Sequence, residues 1–471
     1  MSQVISLSPP AVAGESRRWW VLGIVVAAQF MYVMDAFIVN VALPTMAREL
    51  HASASQIEAV IAVYFMAYAT LIITGGRLGD IHGAKRVFIA GLAGFTLASL
   101  WCGLAQSGTE LIVARLAQGA TAALMVPQVL ATIHVLFSDE ARPKAFAIYG
   151  IVLGLGGAAG FLFGGILVTL DLFGLGWRTV FFVNVPFGII IALAAAQLIP
   201  HTPRRDGVRL DTLGAAVLFV GLACLIGPLL FGRDVHWTLW VWEVMALGAA
   251  IVIGFVALER VIAAKGGLPL IDLALLADRG FTRGLAATFL FFFANLSFYL
   301  VMTLFMQNGL GIAPVNAGLA LMPLALGFVV SSRQSATRVV TRGVRTLIEG
   351  CALQLVGLVG VVAVVELVAQ PGAMLLAAPL AVFGYGQGFV MGPLSGVVLS
   401  SVPKSSAGSG SGLYGTVTQI ANAVGIAVVG AMFFAFHDGG AERISLFTAL
   451  ATVATALIGC CLCLGVRMRA V

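Results

Sequence analysis

The run WWVLGIVVAAQFMYVMDAFIVNVAL at 19–43 holds twenty-five residues and a single charge, Asp35. Roughly 20 apolar residues as a helix cross the ~30 Å of bilayer hydrocarbon. Thirteen further runs of the same kind follow, at 56–75, 87–106, 109–133, 144–170, 179–199, 210–231, 240–259, 282–306, 314–332, 346–367, 374–399, 408–436 and 445–466. Unpaired backbone polar groups are too costly in lipid, so each run is expected to be a helix. The expected fold is an all-α polytopic membrane protein with fourteen transmembrane helices.

Composition agrees. Of 471 residues, 60% are hydrophobic and 10% charged, and the mean hydropathy is +1.05. Soluble domains carry ~25% charged and ~45–50% apolar residues, which excludes a soluble enzyme, a nucleic-acid-binding domain and a disordered scaffold. The net charge of +6 is small for the chain's length; where the bases lie says more than their sum. With the N-terminus in the cytoplasm and the spans alternating, twenty-one of twenty-six bases fall inside. Four, Arg48, Arg178, Arg233 and Arg443, fall outside, and Arg115 lies within a span. That asymmetry satisfies the positive-inside rule and predicts both termini in the cytoplasm. Residues 1–16 read as a disordered tail with no cleavage site nearby.

The six cysteines all lie in apolar runs without metal-ligand spacing to His, so neither a metal site nor a disulfide framework is expected. A Walker-type phosphate loop needs Gly before Lys. The residues preceding Lys85, Lys144, Lys265 and Lys404 are Ala84, Pro143, Ala264 and Pro403. The glycines at 154–160 lie in a span with no strand before them, which removes a dinucleotide reading. The expectation is no cofactor, no nucleic acid and no enzymatic activity, with an ion gradient as the driving force.

Gradient coupling needs an ionisable group within the membrane. Glu58, Glu110, Glu243, Glu349 and Glu366 sit near span ends and read as solvated helix termini. Asp35 lies deeper, about 24 Å along its run at 1.5 Å per residue. Arg115 enters helix 4 to a similar depth and needs a partner, with Asp35, Gln118 or backbone carbonyls as candidates. The pair reads as a proton-coupling site, as a structural tie between helices 1 and 4, or as both.

Several segments then resemble the major facilitator superfamily, specifically its fourteen-span drug:proton antiporter branch. They are MDAFIVNVALP at 34–44, GRLGDIHGAKR at 76–86, RLAQGATAA at 115–123, WRTVFFVNVP at 177–186, AGLALMPLALG at 317–327 and GSGSGLYGTVTQIANAVG at 408–425. The resemblance implies two pseudo-symmetric six-helix bundles, at 17–200 and 282–471, with two extra helices and linkers between them at 201–281. It implies a cytoplasmic gating loop of Gly76, Arg77, Gly79, Asp80, Gly83, Lys85 and Arg86, in which Gly79 and Gly83 permit a tight turn. It also implies an antiport-type helix 5 carrying Gly156, Gly160, Gly164 and Gly165. The chain departs from that pattern at Phe161, where proline is usual, and so loses an expected kink. The substrate site of such carriers lies at midplane between the halves. Tyr32, Asn295, Tyr299, Gln387, Gln419 and Asn422 are the candidate lining, each also readable alone as an interhelical tie.

The expected activity is alternating access, with protons entering and a lipophilic, drug-like molecule leaving. A proton-coupled importer of a small metabolite is the alternative. High Ala and Gly with Arg in excess of Lys point to a GC-rich bacterium. The expected location is therefore a bacterial cytoplasmic membrane, with the chain acting as a monomer.

Overall fold

The computed structural model describes residues 15–137, 141–200, 210–265, 273–368, 370–403, 406–435 and 442–468. Most of the expected tail, the linker at 201–209 with its three arginines, and Lys404 lie outside them. Fourteen helices are long and apolar enough to cross a membrane, and no strand occurs among the described residues.

The helices are α1 (Glu15–Glu49), α2 (Ala54–His82), α3 (Ala84–Leu104), α4 (Gly108–Leu136), α5 (Arg142–Leu170), α6 (Gly176–Leu198), α7 (Thr212–Phe231), α8 (Leu239–Ala264), α9 (Arg279–Leu304), α10 (Pro314–Arg342), α11 (Val344–Leu367), α12 (Ala373–Leu399), α13 (Ala407–Phe434) and α14 (Glu442–Met468). Polar residues start several of them. The Ser53 hydroxyl accepts from the Gln56 amide while Gln56 returns the bond to the Ser53 amide, a full capping box on α2. Ser107, Asp211 and Asp278 cap α4, α7 and α9 in the same sense.

The segment at 76–86 differs from the loop expected there. Residues 76–82 are the last turns of α2, and the chain breaks helix only at Gly83, with φ +91°. Gly343 makes the matching break between α10 and α11, with φ +54°. Only glycine takes such angles without strain. Gly79 serves a different purpose: it lies inside the helix, and a Cβ there would collide with the Gln128 side chain of α4.

The packing repeats with a shift of eight helices. In the first half α2 packs on α4, α3 on α4, α1 on α5 and α6, and α3 on α6. In the second half α10 packs on α12, α11 on α12, α9 on α13 and α14, and α11 on α14. Two seams join the halves, α2 with α13 and α5 with α10, and the same shift exchanges them. The inserted helices α7 and α8 pack on each other, and α7 also covers α2 and α13.

At the end predicted to face outward the halves are tied closely. After α9 the chain makes a π-helical turn at Phe305–Gly309. From it Gln307 Nε2 donates to the Val41 carbonyl of α1 at 2.9 Å. At the same end, a Cβ on Gly165 of α5 would stand 2.8 Å from the Pro314 carbonyl oxygen of α10. Helices α4 and α12 make no such close contact with each other.

Candidate functional site

The two charges singled out in the sequence meet. Arg115 Nη1 donates to Asp35 Oδ2 at 2.7 Å, and both side chains are 0% exposed. Helix spacing places Gln118 one turn after Arg115 on α4. Its Nε2 donates to Asp35 Oδ1 at 2.9 Å, while its Oε1 accepts from Arg115 Nη1 at 2.6 Å. Asn184 of α6 supplies a third donor, Nδ2 to Asp35 Oδ1 at 2.7 Å. Ser99 Oγ on α3 accepts from Gln118 at 2.6 Å and Asn184 at 3.1 Å. Arg115 Nε donates to the Val60 carbonyl of α2 at 3.1 Å.

A buried carboxylate is expensive unless its lone pairs are satisfied. Here Arg115 supplies the opposite charge and two amides supply the remaining donors. Asn184 and Ser99 did not emerge as site residues from the sequence. Asn184 lies within WRTVFFVNVP, and a lone amide in an apolar run was the available signal. Ser99 carried none.

The network reaches the seam through aromatic packing. The Arg115 guanidinium lies 4.1 Å from the centre of the Tyr64 ring, a cation–π geometry. Tyr64 stacks on Tyr32 at 6.1 Å, and Tyr32 on Tyr68 at 5.3 Å. Gln419 Nε2 of α13 donates to Tyr32 Oη at 3.4 Å, and Asn422 Nδ2 donates to Gln419 Oε1 at 3.0 Å. A continuous set of contacts thus runs from Asp35, inside one half, to polar side chains of the other.

The remaining candidates divide. Tyr299 Oη donates to Gln387 Oε1 at 2.7 Å, and its ring meets Phe37 and Phe161 at 5.3 and 5.0 Å. Asn295, one turn earlier, bonds instead within its own half, accepting from Gln354 Nε2 at 2.6 Å. The glycines of α5 also divide. A Cβ on Gly156, Gly160 or Gly164 would come within 3.0 Å of α1 between Phe30 and Ile38, the stretch that carries Asp35. Gly165 faces α10. Phe161, in place of the usual proline, closes an aromatic triangle with Phe37 and Tyr299.

In the expected gating segment, Lys85 Nζ donates to the Ala196 carbonyl of α6 at 2.7 Å, a bond within the first half. Gly76, Arg77 and Asp80 are half-buried on the last turns of α2, and Arg86 is exposed at the start of α3. No group of three or more His, Cys, Asp or Glu side chains that could hold a metal occurs among the described residues.

Fourteen spans in two matched halves, with a charge network buried inside one of them, are the architecture of a membrane transporter. The Major Facilitator Superfamily profile matches residues 25–426, and the chain belongs to that superfamily. It is 36% identical over 446 residues to a probable actinorhodin transporter of Streptomyces coelicolor, covering 92% of this chain and 76% of the relative. It is 32% identical over 422 residues to a puromycin resistance protein of Streptomyces alboniger, covering 88% and 82%. The fold matches the crystal structure of a bacterial homologue of the human lysosomal transporter Spinster, in an inward-facing, occupied conformation. That match has a TM-score of 0.70 and 16% identity, and covers 97% of this chain and 98% of the other.

Proposed function

We propose that this chain exports lipophilic, antibiotic-like molecules from a bacterial cytoplasm in exchange for protons, as a monomer with both termini inside. The observation that carries the reading is the Asp35–Arg115 pair and its packed route through Tyr64 and Tyr32 to Gln419. A proton arriving from outside binds the Asp35 carboxylate. Arg115 keeps its charge but loses the ionic part of its pairing. Tyr64, lying against the guanidinium, moves with it and shifts Tyr32 at the seam. Substrate lodged between Tyr32, Gln419 and Asn422 on one side and Tyr299 and Gln387 on another favours the arrangement in which the ion pair is whole. Release of the proton to the cytoplasm restores it, and the halves rock about α2–α13 and α5–α10.

Relatives named for the transport of actinorhodin and resistance to puromycin support the substrate class. The test uses proteoliposomes with an internal pH dye, an imposed proton gradient, and puromycin with a panel of lipophilic dyes. Wild type is expected to move protons against each transported compound, and Asp35→Asn to lose that counterflow. Proton and compound moving in the same direction would select import. Counterflow surviving in Asp35→Asn would place the proton elsewhere.

A further inference from the structure

Glu58 is the fifth residue of α2, a place that reads as a solvated helix end. It is instead 1% exposed. Its carboxyl occupies the seam between the halves: a Cβ on Gly430 of α13 would stand 2.7 Å from Glu58 Cδ and 2.8 Å from Oε2. Both carboxyl oxygens are buried without a hydrogen-bond partner. The nearest cation is Arg233, with Nη1 3.8 Å from Glu58 Oε1.

Arg233 and Asp234 belong to the link between α7 and α8, so the inserted helices supply both. Asp234 holds the link to the start of α2. Its Oδ1 accepts from Ser55 Oγ at 2.7 Å and its Oδ2 from Ser53 Oγ at 3.3 Å. Arg233 spans the seam, donating from Nη2 to Ser55 Oγ at 3.3 Å and covering the Phe434 ring of α13 at 5.0 Å. The groups facing the Glu58 carboxyl are therefore one guanidinium, one competing carboxylate, and the uncharged Gly430 and Phe434.

We propose that Glu58 is a second proton-binding carboxyl, seated at the predicted outer end of the α2–α13 seam and clasped there by the inserted helix pair. The inference rests on the proton-coupled reading of the chain and deepens it. The setting is unlike that of Asp35, where three donors hold the charge, one of them the Arg115 salt bridge at hydrogen-bonding distance. At Glu58 the ionised form has two bare oxygens in an apolar seam and one distant cation, and a proton removes that cost. On protonation an O–H bond forms at the carboxyl, and Arg233 keeps Ser55 and the Phe434 ring near Asp234. The tie from α7–α8 to Glu58 is then released where the halves must part. A charge that comes and goes at this point links proton binding directly to opening of the seam.

Two measurements on the intact protein in lipid test this. Dicyclohexylcarbodiimide modifies protonated carboxyls in apolar surroundings, and peptide mass spectrometry locates the adduct. The expected result is an adduct on Glu58 that declines as pH rises, persists in Asp35→Asn and increases several-fold in Arg233→Gln. No adduct on Glu58 at any pH, with Arg233→Gln no different, would overturn the proposal. The second measurement is the proton-to-puromycin ratio from reversal potentials. It is expected to fall from two to one in Glu58→Gln and to hold in Glu58→Asp; an unchanged ratio in Glu58→Gln overturns the proposal. If wild type shows no puromycin-linked proton movement, the export reading fails for that compound, and the carbodiimide result still decides Glu58.

Discussion

Removing the charge of Asp35 leaves Arg115 buried with neutral acceptors alone, the Val60 and Gln118 oxygens among them. Breaking a buried pair from one side costs about 3–5 kcal/mol, while replacing both partners costs far less. Asp35→Asn and Arg115→Gln are each expected to lower the unfolding temperature in detergent, and the double variant to recover much of the loss. Strictly additive losses would mean that the two side chains are not coupled. Asn184→Ala takes one donor from Asp35 Oδ1 and is expected to cost about 1.5–3 kcal/mol, the range for a hydrogen bond to a charged group. The unfolding midpoint checks it. Asp35, Arg115 and Gln118 were legible in the sequence because a charge inside an apolar run demands an explanation, and because i, i+3 spacing fixes a face. Asn184 and Ser99 join them only through the packing of α6 and α3 around α1 and α4, which no local pattern encodes. Glu58 was misread for the same reason: its burial comes from α7 and α13, distant in sequence. Asn295 and Tyr299 share a face by spacing, yet their partners lie on α11 and α12 respectively.

The glycines of α5 set the distance to α1. A Cβ on Gly160 would lie 2.7 Å from Phe37 Cβ and 2.9 Å from the Met34 carbonyl oxygen. Gly160→Ala is therefore expected to push the helices apart at Asp35, costing about 1–3 kcal/mol as overpacking and impairing transport. Gly150, with nothing within 4 Å of its added Cβ, is the control: Gly150→Ala is expected to be neutral or to stabilise by up to about 1 kcal/mol. Unfolding midpoints and flux on the same preparations compare the two. The number and order of the helices were readable from hydropathy and charge alone. Their ends were not. Helix α1 continues through Pro44 to Glu49, because neighbouring helices support a turn that an isolated peptide would lose. Helix α2 runs on through Gly75 and Gly79, whose missing side chains let α4 approach, whereas Gly83 alone makes the turn. Glycine permits both close approach and reversal, and sequence does not say which is used.

Neither α10 nor α13, which supply one side of each seam, contains an Asp or Glu. The carboxylates described near the seams are each engaged: Asp35 by Arg115, Gln118 and Asn184, Glu58 by Arg233, and Asp234 by Ser53 and Ser55. A molecule with two positive charges would find no second counter-ion between the halves. Singly charged and neutral compounds are expected to be exported in preference to dications, measured by competition of ethidium against dequalinium in everted vesicles. Strong dication export would contradict this. The two-fold relation of the halves was legible only faintly, since the segment 331–345 keeps Gly343 and several bases of its counterpart but no acid. The exchange of seams α2–α13 and α5–α10 makes the relation plain. The inserted helices break it. They lie along α2 and α13 and leave α5 and α10 without an equivalent cover among the described residues. The carrier consequently has a shuttered flank and a bare one. For a solute dissolved in the leaflet, the α2–α13 seam lies behind a wall of extra helices, whereas the packed α5–α10 seam is itself the surface it meets.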